Sequence, residues 1–507
     1  MFEHLKRLGT DTAIYGVSTI VGRFLNFLLV PLYTNVLLPE DYGIVTYLYS
    51  LIAFMNVIYA YGMESAYFKY SSTLEHGTPQ QNYSTAFLSI LGSSIFLSAG
   101  IIVFHSSIGL VINIPDQYES LLLYTAGILA FDAIAIIPFA ALRSERKAKL
   151  FASIKVLNIA INLVLNIILI VILQKGVQGI FISGFVASVF TFIMLIPTMM
   201  RNFRFDFSGN LYRALLKFGL PTIPAGLASM AIQVIDRPIL RALTDDATVG
   251  IYQANYRLGI FMMLIVSMFD YAWRPFYFSV AKEPNAKEIF ARVLTYLLLC
   301  MSLVFLVLTF FIEDIVKINF FGRHIIHPDY WSGLNIVPIV LLGYLFLGVS
   351  TTLSAGIYIE KRTQYLPIIT FVGAGTNIMM NYLLIPSMGI YGAALATLAA
   401  YFIMSIVMYI VAQSVFPIRF EYVRIVKILI AILVVVGLNL LISLIQLSGH
   451  LNIASKIVLI FLFLGLMYLM KVLKQSEIVK IINHPSRIEE TNLAIVQQGK
   501  SDVEDSV

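Results

Sequence analysis

Charge is scarce in this chain. Only 12% of its 507 residues are Asp, Glu, Lys or Arg, against about 25% in an ordinary soluble domain. Cysteine is nearly absent as well. Cys300 stands alone inside an apolar segment, which excludes an intrachain disulfide framework or a cysteine-based metal centre. No GxxxxGK[ST] phosphate loop occurs, which disfavours an ATP-driven pump. Long polar regions are missing too, and the longest loop between apolar runs, about Glu313 to Trp331, is too small to be a domain. It holds His324, His327 and Asp329 without metal-ligand spacing. A membrane glycan polymerase or glycosyltransferase is therefore disfavoured, and the chain is not expected to be an enzyme.

Apolar sequence takes the place of what is missing. Hydrophobic residues make up 59% of the chain. Runs of 20 or more recur from end to end, each long enough to cross a hydrocarbon layer of about 30 Å as a helix. Segments of about ten alternating residues, the mark of a membrane β-barrel, do not occur. The pattern predicts an all-α polytopic membrane protein of about fourteen spans, the first near 12–36 and the last near 453–474. The run after "MFEHLKRLGTDTAIYG" is too long for a signal peptide and is read as a retained first span. The seventh, near 214–240, contains Pro221, Pro224 and Pro238 and is expected to break or bend.

Basic residues set the orientation. The cluster Arg143, Arg146, Lys147 and Lys149 and most other lysines and arginines fall on one side, while the opposite loops show few: Lys175, Arg241, Lys317, Arg323 and Lys456. The asymmetry predicts cytoplasmic termini. It also accounts for the net charge of +6 without a nucleic-acid partner. Beyond about His484 the chain turns polar and is expected to be disordered.

Two halves of the chain repeat. "VPLYTNVLLPEDYGIVTYLYSLIAFM" aligns without gaps on "RPILRALTDDATVGIYQANYRLGIFM". Pro31 falls on Pro238, Gly43 on Gly250 and Tyr49 on Tyr256, a constant offset of 207 residues. Further on, Glu145 matches Glu360, Asn162 matches Asn377 and Asn166 matches Asn381. Six spans per repeat is an even number, so both halves enter the membrane from the same side. That predicts two lobes related by a pseudo-twofold axis along the membrane normal, with a cavity between them. The expected division is an N-lobe over 1–205, a C-lobe over 206–416, two extra helices over 417–480 and a cytoplasmic tail over 481–507.

The first hairpin, "YGVSTIVGRFLNFLLVPLYTNVLLPEDYGIVTYLYS", resembles the opening helices of Wzx-type polysaccharide flippases. These belong to the multidrug/oligosaccharidyl-lipid/polysaccharide (MOP) exporter superfamily. The paired "ERK…N…N…GxxG" and "EKR…N…N…GxxG" segments carry the resemblance through both lobes. It implies a bacterial inner-membrane flippase that moves an undecaprenyl-diphosphate-linked oligosaccharide, an O-antigen, capsule or exopolysaccharide unit, between leaflets by alternating access. It further implies a cationic cavity, no cofactor beyond a coupling Na+ or H+, and action as a monomer. Polysaccharide polymerase or export proteins are the expected protein partners, with the lipid bilayer as surroundings. A lipid II flippase or a cation-coupled drug antiporter of the same superfamily remains the alternative.

Ionisable groups inside spans are costly and mark sites by default. Arg23, with Asn26 three positions on, forms a polar stripe on the first span. Arg237 lies in the outer part of the seventh, and Arg257 two turns into the eighth with Gln253 one turn earlier. Guanidinium groups suit a diphosphate because they stay charged and bind oxygens in pairs. Arg23, Asn26, Arg237, Gln253 and Arg257 are therefore the expected substrate contacts. Asp236, Asp132 and Asp270 are the carboxylates available to a coupling ion, although Asp236 equally suits a structural salt bridge. Asn158, Asn162 and Asn166 recur every four residues, which fits helix–helix hydrogen bonding, and most tyrosines fit interface and packing roles.

Overall fold

The computed structural model describes residues 16, 20–25, 27–75, 77–320, 322–445 and 449–472. Asn26 and the tail beyond 472 lie outside the described residues. Thirteen helices there are long and apolar enough to span a membrane: α2 Pro39–Thr73, α3 Pro79–Val103, α4 Asp116–Ser144, α5 Ala148–Ile172, α6 Gly176–Asn202, α7 Gly209–Val234, α8 Asp246–Val280, α9 Ala286–Val316, α10 Pro328–Ile359, α11 Tyr365–Met388, α12 Ile390–Val415, α13 Tyr422–Ser443 and α14 Gly449–Leu469. A shorter apolar helix, α1, covers Ile20–Val36. The protein is thus an all-helical, multi-pass membrane protein, with one two-stranded hairpin between α9 and α10, β1 Asn319–Phe320 paired with β2 Arg323–His324.

The described chain forms two compact units. One holds α1–α8, the hairpin and α10–α12; the other holds residues 291–311 of α9 with α13 and α14. In the second unit Glu421 accepts a hydrogen bond from Thr295 at 2.8 Å, and Lys427 donates to the Met470 carbonyl at 2.7 Å.

Local chemistry starts the helices where the sequence changes character. Pro39 opens α2 with Glu40 and Asp41 in its first turn, where a fixed φ and negative charge suit a helix N-terminus. Asp245 caps α8 by accepting the Thr248 N–H at 2.7 Å. Two spans are broken by proline. α4 splits into Leu121–Ile134 and Ile136–Ser144, three residues before Pro138. α7 stops at Val234 and resumes as Asp236–Leu243, three residues before Pro238. A proline has no N–H for the carbonyl four residues back and its ring crowds that carbonyl, so each break falls one turn ahead of the proline.

The repeat is visible in a reciprocal contact. A Cβ built on Gly43 would lie 1.8 Å from the Asp246 carbonyl oxygen, and one on Gly250 would lie 2.0 Å from the Pro39 carbonyl oxygen. The 207-residue offset that pairs Gly43 with Gly250 also pairs Pro39 with Asp246. Each helix therefore presents a glycine to the backbone of the other's first turn, the self-complementary pattern of a twofold interface. Only residues without side chains allow α2 and α8 to cross this closely.

Candidate functional site

Around that crossing lies a polar seal. Arg241, just before α8, donates to the carbonyls of Ile112 (2.8 Å) and Asn113 (2.7 Å). It also pairs with Asp246 and stacks over Tyr47 at 4.2 Å. Tyr330 donates to the Leu37 carbonyl at 2.9 Å, and Tyr118 to Asp41 at 2.5 Å. These groups belong to the face poor in lysine and arginine.

Beneath the seal is a cavity of about 620 Å³ lined from both halves of the chain. From the first half come Tyr33, Tyr42, Tyr49, Asp132, Asn158 and Asn162; from the second come Gln233, Arg237, Gln253, Tyr256, Arg257 and Tyr344. The repeat-mates Tyr49 and Tyr256 face the same space.

The expected arginines divide into three kinds. Arg237 is buried, 5% exposed, and its charge is matched. Its Nη1 lies 2.6 Å from Asp236 Oδ1, its Nε donates to Gln253 Oε1 at 3.1 Å, and its guanidinium stacks 4.3 Å from the Tyr256 ring centroid. Neighbours on an unbroken helix point about 100° apart and would not pair. The break at Ile235 is what brings them together. Arg237 turns its own N–H to Asp236 Oδ1, and its Nη1 takes over as donor to the Gln233 carbonyl. Asp236, 1% exposed, accepts the Tyr252 hydroxyl on its other oxygen at 2.5 Å.

Arg23 does not line this cavity. It donates to Ser267 at 2.5 Å and joins α1 to α8. Arg257 differs from both. It lines the cavity, is half-buried, and makes no hydrogen bond or ion pair among the described residues. With Arg237 neutralised by Asp236, Arg257 is the cation on the second half's wall that has no carboxylate.

The carboxylates separate in the same way. Asp270 forms an i,i+4 ion pair with Arg274 at 2.8 Å, outside the cavity lining. Asp132 lines the cavity, and its Oδ1 accepts from Ser188 at 2.7 Å. Lys155 lies within electrostatic reach of Asp132 and 4.3 Å from the Phe139 ring centroid. This lysine was not singled out in the sequence. Extending the Asn158–Asn162 stripe back by one turn, at i−3 from Asn158, points to it. The cavity tyrosines were also missed, although Tyr42, Thr46 and Tyr49 recur at helical spacing on α2.

The asparagines brace helices. Asn158 donates to the Ala187 carbonyl (2.9 Å) and Thr191 (2.8 Å) on α6. Asn166 bonds Asn162 at 3.0 Å and its repeat-mate Asn381 bonds Asn377 at 2.8 Å, the same i,i+4 link in both halves. Outside the spans, Glu145 sits among Lys147, Arg201 and Asn202. Partial burial alone would raise its carboxyl; the hydrogen bonds from Lys147, Asn202 and Arg201 outweigh this and hold it below its ordinary value.

Solved structures show the same arrangement of helices over most of this chain. The structure titled lipid II flippase MurJ, inward closed conformation, superimposes with a TM-score of 0.71 at 18% identity, over 90% of this chain and 98% of that one. An inward-facing multidrug resistance MATE family transporter of the MOP superfamily gives 0.57 at 14% identity, over 77% of this chain and 94% of that one. The Vibrio cholerae MATE transporter VcmN, as its D35N mutant, gives 0.58 at 12% identity, over 80% and 96%. The chain shares the fold of these transporters. The family of polysaccharide biosynthesis proteins matches residues 34–280, in line with the resemblance seen in the first hairpin and its repeat. An uncharacterized membrane protein of Methanocaldococcus jannaschii, MJ1068, is 28% identical over 209 residues, a match spanning 39% of this chain and 39% of that protein.

Proposed function

We propose that the protein is a flippase for a polyprenyl-diphosphate-linked oligosaccharide, the Wzx-type activity of the superfamily, working in the bacterial inner membrane with its basic face and both termini in the cytoplasm. The observation that carries the reading is Arg257, a cation without a counterion in a cavity shared by both halves. A diphosphate supplies the missing charge, and a guanidinium binds its oxygens in pairs. The family match over 34–280 points the same way, because a polysaccharide route needs its lipid-linked units moved across the membrane. Tyrosine and asparagine side chains on the first-half wall offer hydrogen bonds and ring faces to sugars. The two lobes, 1–205 and 206–416, rock about the cavity, and the glycine crossing of α2 and α8 is the seal that opens.

Arg237 and Gln253 shape the cavity beside Arg257, while Arg23 ties α1 to α8. Coupling to H+ or Na+ falls to Asp132, which faces the cavity, rather than to Asp236, whose oxygens are taken by Arg237 and Tyr252, or to Asp270. An anionic substrate leaving an inside-negative cell also gains about 2.3 kcal/mol per charge per 100 mV. A second reading, export of lipid II, rests on the likeness to the MurJ structure. One experiment separates the two: deplete the protein and identify by mass spectrometry the lipid-linked precursor that accumulates. An oligosaccharide diphosphate supports the first reading and lipid II the second. Accumulation of neither, with sensitivity to cationic drugs instead, rejects both.

A further inference from the structure

A second hollow of about 440 Å³ lies on the other side of α1 and α5 from the cavity. On α1 the cavity takes Leu29, Val30 and Tyr33, whereas the slot takes Leu28, Pro31 and Leu32; on α5 the cavity takes Asn162 and the slot takes Leu163 and Ile167. The seam between them is closed by Tyr33, whose hydroxyl donates to Asn166 at 2.9 Å. The slot is apolar and open to the membrane, for Leu28 and Ile167 are 40% and 43% exposed. Its one polar edge comes from the β1–β2 hairpin, held against α1 by the Asn35 amide donating to the His324 carbonyl at 2.8 Å. Arg323 on that edge is exposed, and its guanidinium makes no hydrogen bond or ion pair among the described residues. Trp331 packs edge-on against His324, 5.1 Å between centroids. Tryptophan at this level marks the membrane–water interface.

Of the other basic residues on this face, Arg241 is held by Asp246 and two carbonyls and Lys317 is paired with Glu313, while Lys175, exposed and likewise without a side-chain hydrogen bond or ion pair among the described residues, lies outside the slot lining. A free cation at the rim of an apolar, membrane-facing slot complements one ligand chemistry: a phosphate at headgroup level with a hydrocarbon chain below it.

We propose that this slot seats one anionic phospholipid of the surrounding leaflet, its phosphate on Arg323 and one acyl chain along Leu28, Leu32, Leu163 and Ile167. The lipid packs against the α1–α5 seam and holds it shut over the Tyr33–Asn166 bond. The site does not depend on what the central cavity carries.

The test is native mass spectrometry of the purified full chain, incubated with phosphatidylglycerol or with phosphatidylcholine of the same chains. Wild-type protein is expected to retain one phosphatidylglycerol in preference to phosphatidylcholine. Arg323→Gln is expected to weaken that retention about fivefold, the effect of one basic residue at a membrane surface. Leu163→Trp, which fills the slot and leaves the arginine in place, is expected to abolish it with an unchanged melting temperature. If Leu163→Trp does not fold, Ile167→Trp, at a more exposed wall position, takes its place. Equal retention of both lipids by wild type overturns the proposal, as does retention that survives slot filling. A second copy of the chain in place of the lipid overturns it equally.

Discussion

Replacing Gly43 with alanine tests the seal at its tightest point. The new Cβ would stand 1.8 Å from the Asp246 carbonyl oxygen and 2.6 Å from its carbon, where real Cβ contacts stay beyond 3.0 Å. The obstacle is backbone, so α8 must withdraw by about 1.2 Å, the gap between 1.8 and 3.0 Å. Overpacking of this kind costs about 1–3 kcal/mol, and the cost falls only on the sealed state. The helix-propensity gain of Gly→Ala, about 0.5–1 kcal/mol, falls on sealed and opened states alike and cancels. The ratio of opened to sealed protein should therefore rise about 5- to 150-fold. A cysteine placed at the cavity wall, Thr46→Cys in a Cys300→Ser background, reports it through its labelling rate with a membrane-impermeant thiol reagent added at the face poor in basic residues. Gly43→Ala should raise that rate within this range, and Gly250→Ala should do the same, because the contact is reciprocal. An unchanged rate in both, with intact folding, would refute the idea that the glycine crossing is the part that opens.

Three further outcomes follow from the site. Asp236→Asn leaves Arg237 buried beside a neutral partner and should destabilise the protein by about 3–5 kcal/mol, read as a lower melting temperature. The double replacement Asp236→Leu with Arg237→Leu, which removes both charges, should recover most of that loss. Arg257→Gln should leave the melting temperature in place and lower export at least tenfold, with Arg257→Lys keeping part of the activity; full activity of the glutamine variant would remove Arg257 from the substrate site. Glu145 has a folded pKa below its ordinary value, so its contribution to stability is present above that ordinary value and is lost as pH falls through the folded one. Glu145→Gln should therefore lower stability modestly at neutral pH, where the wild-type carboxylate contributes, and change little in acid, so that the fall in stability below about pH 4.5 is flattened.

Much of the fold was legible because a bilayer leaves few solutions. Apolar runs of span length gave the helices. The gapless match of Pro31–Tyr49 to Pro238–Tyr256 anticipated a symmetry that the Gly43–Gly250 contact makes physical. The site was less legible, since charge in a span announces cost without revealing what offsets it. Arg23, Arg237 and Arg257 look alike in sequence; a serine on α8, an adjacent aspartate and an empty space distinguish them. The pairing of Asp236 with Arg237 depends on a break three residues ahead of Pro238, and no periodicity argument places adjacent side chains together. Lys155 is hard to single out in sequence because it lies one turn before Asn158, at the end of a stripe that fits a purely structural asparagine ladder.

The most direct measurement of the central claim is flipping of a purified polyprenyl-diphosphate-linked oligosaccharide in proteoliposomes containing this protein alone. Exposure of the glycan to an added lectin reports its transfer to the outer surface. The account predicts protein-dependent transfer that Arg257→Gln reduces at least tenfold. Transfer no faster than in protein-free vesicles, from protein that is folded and correctly inserted, would contradict it.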